Sequence, residues 1–185
     1  TVQVSVNAGV VGNAMPMTAL PAGWVNTGEN LGAGTGNDGT ANGLLDVTVA
    51  LVSVAEANFG VDQLPDSNVA SASYTNPGGM NTVTVPTLTG SDPEDGALGA
   101  GKTVVIETVP ANGTLYYDGI AVMAGQTITS YDPTKLTVDP GFEGSGTVIF
   151  TYAFVDAAGQ KDPTPATATL TFNGVSLSGT VYDDA

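Results

Sequence analysis

The sequence lacks cysteine and histidine, and only three of its 185 residues carry a basic side chain. Without these groups there is no thiol nucleophile, no Ser-His-Asp triad, no imidazole zinc site and no disulfide. The three cations are Lys102, Lys135 and Lys161, against 18 acidic residues, and the formal net charge is −15. So few cations cannot track a phosphate backbone or dock onto an anionic bilayer. The composition therefore excludes nucleic acid and electrostatic membrane binding.

Long apolar runs are missing as well. No run of about 18 or more apolar residues occurs, so no membrane span is predicted. Charged residues make up 11% of the chain, against about 25% in an average protein. Valine and threonine far outnumber leucine, and 25 glycines and 11 prolines accompany them. This composition predicts an all-β chain of short strands and tight turns, of the kind common among secreted proteins.

The first 62 residues are predicted to form a small β unit. Residues 1–6, TVQVSV, alternate apolar and polar side chains as a half-buried strand does. Residues 27–43 contain almost no large apolar side chains and are predicted to be a loop. Residues 44–54, LLDVTVALVSV, are predicted to be a central strand, and 57–61 closes the unit. The proline-containing stretch 61–68 is interpreted as a linker.

A second unit is predicted over residues 63–173. Strand-like runs recur there at a spacing of about 8–12 residues, and the turns between them are rich in Asp, Gly and Pro, which is the rhythm of an immunoglobulin-like sandwich. A further strand is predicted over 175–181, with alternate residues on one face. The strands of the second unit are predicted at 81–88, 102–109, 113–117, 120–128, 135–138, 147–155 and 166–172.

The second unit resembles bacterial cadherin-like and Ig-like repeats. The resemblance lies in GSDPEDG (90–96), PANGTLYYDGIAVMAGQTIT (110–129), LTVDPGFEGSGTVIFTYAFVDAAG (136–159) and ATATLTF (166–172). The order and spacing of these motifs are more specific than any one of them. The resemblance implies a stalk or adhesin module on a bacterial surface, often with calcium stiffening its loops.

The first unit resembles the C-terminal half of an SdrD B-type (Cna B-like) domain. The matching segments are TVQVSVNAG, LPAGWVNTGEN, GNDGTANGLLDVTV and ANFGV, and the tail SLSGTVYDDA resembles the opening strand of the same kind of domain. The expected fold is therefore two β-sandwich units in tandem, the first incomplete, with an extra C-terminal strand. The chain is interpreted as a mature fragment or excised repeat of a secreted surface protein.

The missing strands of the first unit suggest how copies of the chain would assemble. An incomplete sandwich leaves unpaired edges, which accept a strand from a neighbour. Residues 174–185 are predicted to be donated to the first unit of an adjacent copy, or to open the next unit, so that copies join head to tail in a fibre. The exchanged face would consist of Val175, Leu177, Gly179 and Val181.

Calcium is the cofactor that the remaining side chains suit best, because hard cations prefer oxygen ligands. Asp92, Glu94 and Asp95 lie within one turn, and Asp156 ends a later strand. These four are predicted to form a calcium site, and a solvated acidic turn is the alternative. Weaker candidates for a cation are Asn37 with Asp38, Asp62 with Asp66, and Asp183 with Asp184.

The same sequence is compatible with two other classes of function, a binding module and an enzyme. A monomeric adhesin that binds a surface glycan or another host ligand is the alternative to the fibre, with Trp24, Tyr116, Tyr117 and Tyr131 as a sugar-stacking platform. For an enzyme, Glu107 and Glu143 are the best pair of carboxylates of glycosidase type. Most such acids are surface groups, so the chain is predicted not to be an enzyme.

Overall fold

The protein is described from a computed structural model, which covers residues 1–176 and 178–180. The chain divides into two compact units, Thr1–Leu64 and Pro65–Ala185, called here the first and second units. Apart from a 3-10 turn at Pro133–Lys135, the regular structure of the described residues consists of β-strands, which confirms the all-β prediction. Within the same residues, no helix has the length and apolar character needed to cross a membrane.

The first unit contains two pairs of antiparallel strands. The short pair joins β1 to β3, with Val2 opposite Leu45, and the long pair joins β2 to β4. Leu45 is 3% exposed and is the only large apolar side chain of the first unit that is fully buried. The unit therefore has a very small apolar interior. Its strands are β1 (Val2–Gln3), β2 (Trp24–Leu31), β3 (Leu44–Leu45) and β4 (Ala57–Gln63).

Four predictions for the first unit were wrong in part. The predicted strand 1–6 is only two residues long, as β1. The predicted loop 27–43 begins inside β2, whose polar residues are held by backbone pairing with β4 rather than by an apolar face. Of the predicted strand 44–54, only β3 is a strand, because the rest of that apolar segment has no neighbouring strand to pair with. The predicted linker 61–68 includes the end of β4 and a short strand at Asp66–Ser67.

Within the described residues, the second unit contains twelve short strands, most of them three to six residues long. In chain order they are β5 (Asp66–Ser67), β6 (Ala70–Thr75), β7 (Val83–Thr84), β8 (Gly90–Asp92), β9 (Gly96–Leu98), β10 (Thr103–Thr108), β11 (Thr114–Tyr117), β12 (Ile120–Ala121), β13 (Gln126–Ile128), β14 (Leu136–Asp139), β15 (Gly146–Val155) and β16 (Ala166–Asn173).

These strands form one five-stranded, one four-stranded and one three-stranded sheet. Their orders are β13-β10-β15-β16-β6, β12-β11-β14-β7 and β5-β8-β9. All neighbours are antiparallel except β16 and β6, which run parallel. Buried residues of the five-stranded and four-stranded sheets belong to one apolar cluster, so the second unit is sandwich-like.

The core follows from alternation along β15 and β16, which on β15 is broken only at Ala153, a small residue that is buried as well. On β15, Val148, Phe150, Tyr152 and Phe154 are all 0% exposed, while Ile149 on the other face is 50% exposed. The same period places Ala166, Ala168, Leu170 and Phe172 of β16 in the core. Successive side chains of a strand point to opposite faces, so this pattern buries one face of the five-stranded sheet.

The second unit differs from the predicted strands at several places: the predicted strand 81–88 is reduced to β7, and β5, β8 and β9 were not predicted as strands. The predicted strand 120–128 is two strands, because the chain leaves the four-stranded sheet after β12 and joins the five-stranded sheet at β13. The turn between them is closed by the Gln126 N–H, which donates to the Met123 carbonyl. The sequence pattern also missed β6, ASASYT, whose small polar residues are held in the sheet by pairing with β16.

The predicted C-terminal strand lies only partly within the described residues. Val175 is 81% exposed, and a Cβ added at Gly179 would contact nothing within 4 Å. Neither residue belongs to a strand in this single chain. Leu177 and Val181 lie outside the described residues. The donated-strand hypothesis concerns a second copy, so it stays a prediction.

Candidate functional site

The acidic turn after β8 is ordered by its own first carboxylate. Asp92 ends β8 and is 4% exposed. Its Oδ1 accepts hydrogen bonds from the backbone N–H groups of Glu94, at 2.9 Å, and Asp95, at 2.7 Å. In such an Asx turn the side chain takes the place of a backbone carbonyl. The other oxygen, Asp92 Oδ2, is buried and has no hydrogen-bond partner among the described residues.

A second acidic turn follows β15. Asp156 is 8% exposed, and its Oδ1 accepts a hydrogen bond of 2.7 Å from the Gln160 N–H. Its Oδ2 is buried and, within the described chain, has no hydrogen-bond partner. The two turns are joined by Asp95, whose Oδ2 accepts a hydrogen bond of 2.6 Å from the Ala157 N–H. The fold thus brings the two acidic turns of the sequence prediction together.

The structure places some of the predicted calcium ligands in neighbouring turns and leaves the side chain of another exposed to solvent. Asp92, Asp95 and Asp156 belong to the joined turns, whereas the side chain of Glu94 is exposed. Among the described residues, no group of three or more acidic, histidine or cysteine side chains is arranged to hold a metal ion. Calcium binding by these four residues therefore stays a prediction, and two unpartnered carboxylate oxygens are its support.

The weaker acidic candidates occupy unrelated positions. Asn37 Oδ1 accepts a hydrogen bond of 2.9 Å from the Gly39 N–H and so closes a local turn, and Asp38 beside it is exposed. Asp62 lies in β4 and is 9% exposed, whereas Asp66 in β5 is exposed. The last candidate pair, 183 and 184, lies outside the described residues.

The predicted sugar-binding platform of four aromatic residues is wrong in part, because one of its rings is buried. Tyr131 is 1% exposed and packs in the core, so it cannot present a ring face to a sugar. Tyr117 is half-buried; its ring centroid lies 6.4 Å from that of Tyr131, and its hydroxyl accepts a hydrogen bond from the Asp132 N–H. Tyr116 on β11 and Trp24 on β2 are half-buried. Glycan binding through the remaining aromatics stays a prediction.

Burial gives Tyr131 a measurable pH dependence. Desolvation raises its pKa from 10.0 to about 12. The folded chain then keeps this proton in a range where the unfolded chain releases it. Its contribution to stability is therefore complete below pH 10 and is lost as the pH rises toward 12. We expect the free energy of unfolding to fall less steeply over this range in Tyr131→Phe, as measured by urea unfolding, and equal slopes in both proteins would contradict the expectation.

The two glutamates considered for hydrolysis each have their own structural partner. Glu107 Oε1 lies 2.6 Å from Lys161 Nζ in an ion pair that joins β10 to the segment after β15. Glu143 Oε1 accepts a hydrogen bond of 2.9 Å from the Gly79 N–H. Both contacts tie loops or strands to neighbouring segments. The expectation that the chain is not an enzyme stays a prediction.

The first unit contains an apolar segment that belongs to neither of its two strand pairs. Residues 46–56, called here the open segment, lie between β3 and β4 and belong to no strand. Val49, Leu51 and Val52 are 71%, 103% and 73% exposed. Alternating β-branched and apolar residues have a high preference for strands. The open segment is thus a strand-forming sequence without a partner strand in its own unit.

Comparison of the chain with protein-family models, with curated proteins and with solved structures finds no match. The resemblances to Cna B-like and cadherin-like repeats accordingly rest on the motifs quoted above. The observations available for function are the joined acidic turns of the second unit, the open segment of the first unit and the buried polar side chains of both.

Proposed function

We propose that the chain is a structural repeat of an extracellular bacterial fibre or adhesin, in which copies join head to tail by strand complementation. In this proposal, residues 174–185 of one copy pair with the first unit of the next. The assembled protein is secreted and lies at the cell surface. The partners are then other copies of the same chain, and its role is mechanical rather than catalytic.

The observation that carries this proposal is the exposure of the open segment. Val49, Leu51 and Val52 have a strong strand preference, yet they lie exposed and outside the sheets. An added strand would pair with this backbone and cover its apolar side chains, as in other cases of strand addition. A row of unpaired backbone groups next to exposed apolar residues is also the kind of edge that aggregates unless a specific partner covers it.

The proposed donor begins where β16 ends. Gly174 follows the last residue of β16, and Val175 beyond it is 81% exposed. The donor pattern places Val175, Leu177, Gly179 and Val181 on one face. These four positions are separated by three small polar residues, Ser176, Ser178 and Thr180, so a strand formed here has one apolar and one polar side, as an edge strand of a half-buried sheet requires.

Both units are proposed to be variants of immunoglobulin-like sandwiches in tandem, the first Cna B-like and incomplete, the second cadherin-like. The sandwich-like packing of the second unit supports this, since its two larger sheets share one apolar core. Support for the first unit is the small number of its strands and its single fully buried leucine. A donated strand would increase both the number of strands and the amount of buried apolar surface in the first unit.

Calcium is proposed to stiffen the second unit at its joined acidic turns. The buried oxygens Asp92 Oδ2 and Asp156 Oδ2 support this, because a buried carboxylate oxygen without a donor is costly and a cation would compensate it. The net charge of −15 provides a second effect, since like-charged fibres repel one another and remain dispersed.

Negative-stain electron microscopy of the purified chain tests the fibre. We expect filaments in the presence of calcium chloride and none after the chain is truncated following Gly174. Replacing Val49 and Leu51 with lysine is expected to abolish filaments too, because two charges on the open segment prevent a strand from covering it. Both residues are exposed, so the fold of the single chain should not change.

The matched control introduces the same two charges elsewhere. Val69 and Met80 in the second unit are 82% and 90% exposed, and replacing both with lysine should leave filaments intact. Filaments that persist in the truncated chain would contradict strand donation. Separate compact particles under every condition would contradict self-assembly, and would favour the monomeric adhesin that binds a glycan or another host ligand.

A further inference from the structure

Asparagine followed directly by glycine occurs three times in the chain, at Asn42, Asn112 and Asn173. In this dipeptide the backbone nitrogen of the glycine is able to attack the side-chain carbonyl of the asparagine, because glycine carries no side chain to hinder the approach. Asn42 and Asn112 lie in the same tripeptide, Ala-Asn-Gly. A difference in reactivity between these two sites therefore reflects the fold rather than the local sequence.

At Asn42, the attacking nitrogen is hydrogen-bonded to a buried carboxylate. The Gly43 N–H donates to Glu29 Oε1, and Glu29 is 1% exposed. Residues 1–64 contain no lysine, arginine or histidine, so no basic side chain of the first unit competes for this carboxylate. A carboxylate within hydrogen-bond reach of the proton to be removed meets the geometric requirement for a general base.

The structure requires a glycine at this position. Gly43 has a φ of 74°, in the region that glycine adopts most readily. A Cβ placed on it would lie 3.0 Å from Asn26 Nδ2. The register shift in β2 puts Asn26 and Glu29 on the same face of the β2–β4 pair, so both side chains lie against Gly43. The reactive dipeptide is thus part of the packing of the first unit.

The carbonyl under attack is held by the next peptide group. Asn42 Oδ1 accepts a hydrogen bond of 2.8 Å from the Leu44 N–H. This Asx turn folds the Asn42 side chain back along the chain, so that Asn42 Cγ and the Gly43 nitrogen belong to the same hydrogen-bonded ring. The Leu44 N–H also stabilises the negative charge that develops on Oδ1 during the attack, as a backbone donor of an oxyanion hole does.

We propose that the chain modifies itself at Asn42, with Glu29 as the general base. Glu29 Oε1 takes the proton of the Gly43 nitrogen while this nitrogen forms a bond to Asn42 Cγ. The proton then passes to the side-chain NH₂, the Cγ–Nδ2 bond breaks and ammonia leaves, so that Glu29 is again a carboxylate and a succinimide remains. Asn42 is exposed, so water reaches the succinimide and opens it at either carbonyl, to aspartate or isoaspartate. Every reacting group of the protein belongs to one unit of one chain, so the proposal is independent of the fibre.

The other two Asn-Gly sites have different contacts. At Asn173, the following Gly174 N–H donates a hydrogen bond of 2.9 Å to Ser145 Oγ, and a hydroxyl is a much weaker base than a carboxylate. At the other site, Asn112 Nδ2 donates a hydrogen bond of 2.9 Å to the Thr147 carbonyl, which ties the side chain to β15. Both sites therefore serve as internal controls within the same chain.

The reaction at Asn42 has a structural consequence for the first unit. Isoaspartate inserts the Cβ carbon of Asn42 into the backbone just before β3. Leu44 and Leu45 of β3 pair with Gln3 and Val2 of β1, and Leu45 is 3% exposed. An extra backbone carbon at this point displaces β3 from its register, so we expect the isoaspartate form to unfold at a lower urea concentration.

Peptide mass spectrometry of the full chain tests the proposal. The folded wild-type chain is incubated at neutral pH, and the loss of ammonia and the replacement of NH₂ by OH are followed at Asn42, Asn112 and Asn173. Enzymatic methylation of isoaspartate provides a second measurement. We expect Asn42 to react about a hundredfold faster than the other two sites, which is the effect of a positioned general base. In urea, Asn42 and Asn112 are expected to react at similar rates, because the unfolded chain lacks the contact with Glu29.

Glu29→Gln keeps the shape of the side chain and an oxygen that accepts from the Gly43 N–H, but it removes the base. It should slow the reaction at Asn42 about a hundredfold and leave Asn112 unchanged. The matched control is Glu56→Gln, which makes the same charge change at an exposed position of the same unit and should retain the fast reaction. Fluorescence of Trp24 on β2 reports whether the first unit of each variant is folded.

A reaction at Asn42 that is no faster in the folded wild-type chain than in urea would overturn the proposal. The hydrogen bond from Gly43 to Glu29 would then only fasten the loop before β3 and protect the dipeptide. This comparison uses the wild-type chain, so it does not depend on whether Glu29→Gln folds. An equally fast reaction at Asn42 in a folded Glu29→Gln chain would also overturn the proposal, since the Asx turn alone would then account for the rate.

Discussion

Replacing Asp162 with alanine is expected to lower the free energy of unfolding of the second unit by about 3–5 kcal/mol. Asp162 is 0% exposed. Its Oδ2 accepts a hydrogen bond of 2.7 Å from the Ser67 N–H, and its Oδ1 accepts from the Thr164 N–H and hydroxyl. The substitution leaves the buried N–H of Ser67 without an acceptor, which adds a desolvation cost to the lost bonds.

The contact with Ser67 is also what fastens β5. Ser67 Oγ accepts a hydrogen bond of 2.9 Å from the Phe154 N–H, so the chain Asp162–Ser67–Phe154 links β5 to the middle of the fold. Urea unfolding followed by near-ultraviolet circular dichroism of tyrosine measures the loss. All six tyrosines lie beyond residue 73, whereas Trp24 lies in the first unit, so the tyrosine part of this signal reports the second unit, and Trp24 fluorescence, followed separately, reports the first.

The sequence contains a matched control for Asp162. Asp132 begins the same tripeptide, Asp-Pro-Thr, and its Oδ1 accepts the same two hydrogen bonds from the N–H and hydroxyl of Thr134. Hydrogen bonds from Thr134 lower the pKa of Asp132, but this carboxylate is only half-buried and both hydrogen bonds lie within its own turn. We expect Asp132→Ala to cost much less. Equal losses of unfolding free energy in Asp132→Ala and Asp162→Ala would show that the Asp162 side chain stabilises only its own turn.

Phe154→Ala is expected to cost the second unit about 3–5 kcal/mol as well, because it removes a fully buried ring and leaves a cavity. Phe154 packs edge-on against Tyr152, with ring centroids 5.9 Å apart, and against Tyr131, at 6.4 Å. A Cβ added at Gly90 would come within 3.1 Å of the Phe154 ring. The ring is thus enclosed on several sides, and little collapse is available to fill the space.

Ile149→Ala on the same strand is the control for this truncation. Ile149 is 50% exposed on the outer face of β15, so its truncation should cost less than about 1 kcal/mol. The tyrosine signal in urea unfolding measures both variants. A Phe154→Ala loss no larger than that of Ile149→Ala would contradict the core described here.

The parts of the fold that alternation encodes could be predicted from the sequence. The runs that became β10, β15 and β16 alternate or are densely apolar, and burial of one face requires that pattern. By contrast, β6 consists mostly of small residues and the middle of β2 is polar, so neither strand has an alternating apolar pattern. They are strands because β16 and β4 supply backbone partners. Backbone pairing leaves no signature in side-chain hydrophobicity, so these strands were not predicted.

The same distinction applies to the open segment. Its sequence predicts a strand as strongly as that of β15 does, yet it lies exposed and unpaired in the single chain. Strand propensity is a preference for a pleated, half-buried surface, and a strand forms only where a neighbour provides one. The fibre proposal is based on this difference at residues 46–56 between a predicted strand and an exposed, unpaired segment.

Some features of the candidate sites could likewise be predicted from the sequence, and others could not. The turns carrying Asp92 and Asp95 could be recognised as acidic turns from the sequence, and Asp156 could be placed at the end of a strand. Their connection through the Ala157 N–H required the structure. Glu29, a buried carboxylate of the first unit whose Oε1 accepts a hydrogen bond from the Gly43 N–H, was not singled out from the sequence. The available signal was that a unit without a basic side chain cannot neutralise a buried acid, but the sequence does not show which acid is buried.

By itself, the sequence determined the all-β class and excluded thiol, imidazole and polycationic chemistry, because these depend only on which side chains are present. The tertiary structure decided which strands pair, which apolar segment stays open and which oxygens are buried. Those properties depend on residues far apart in the chain. Asn26 and Glu29 show this most directly, since one bulged residue in β2 moves both side chains to the same face.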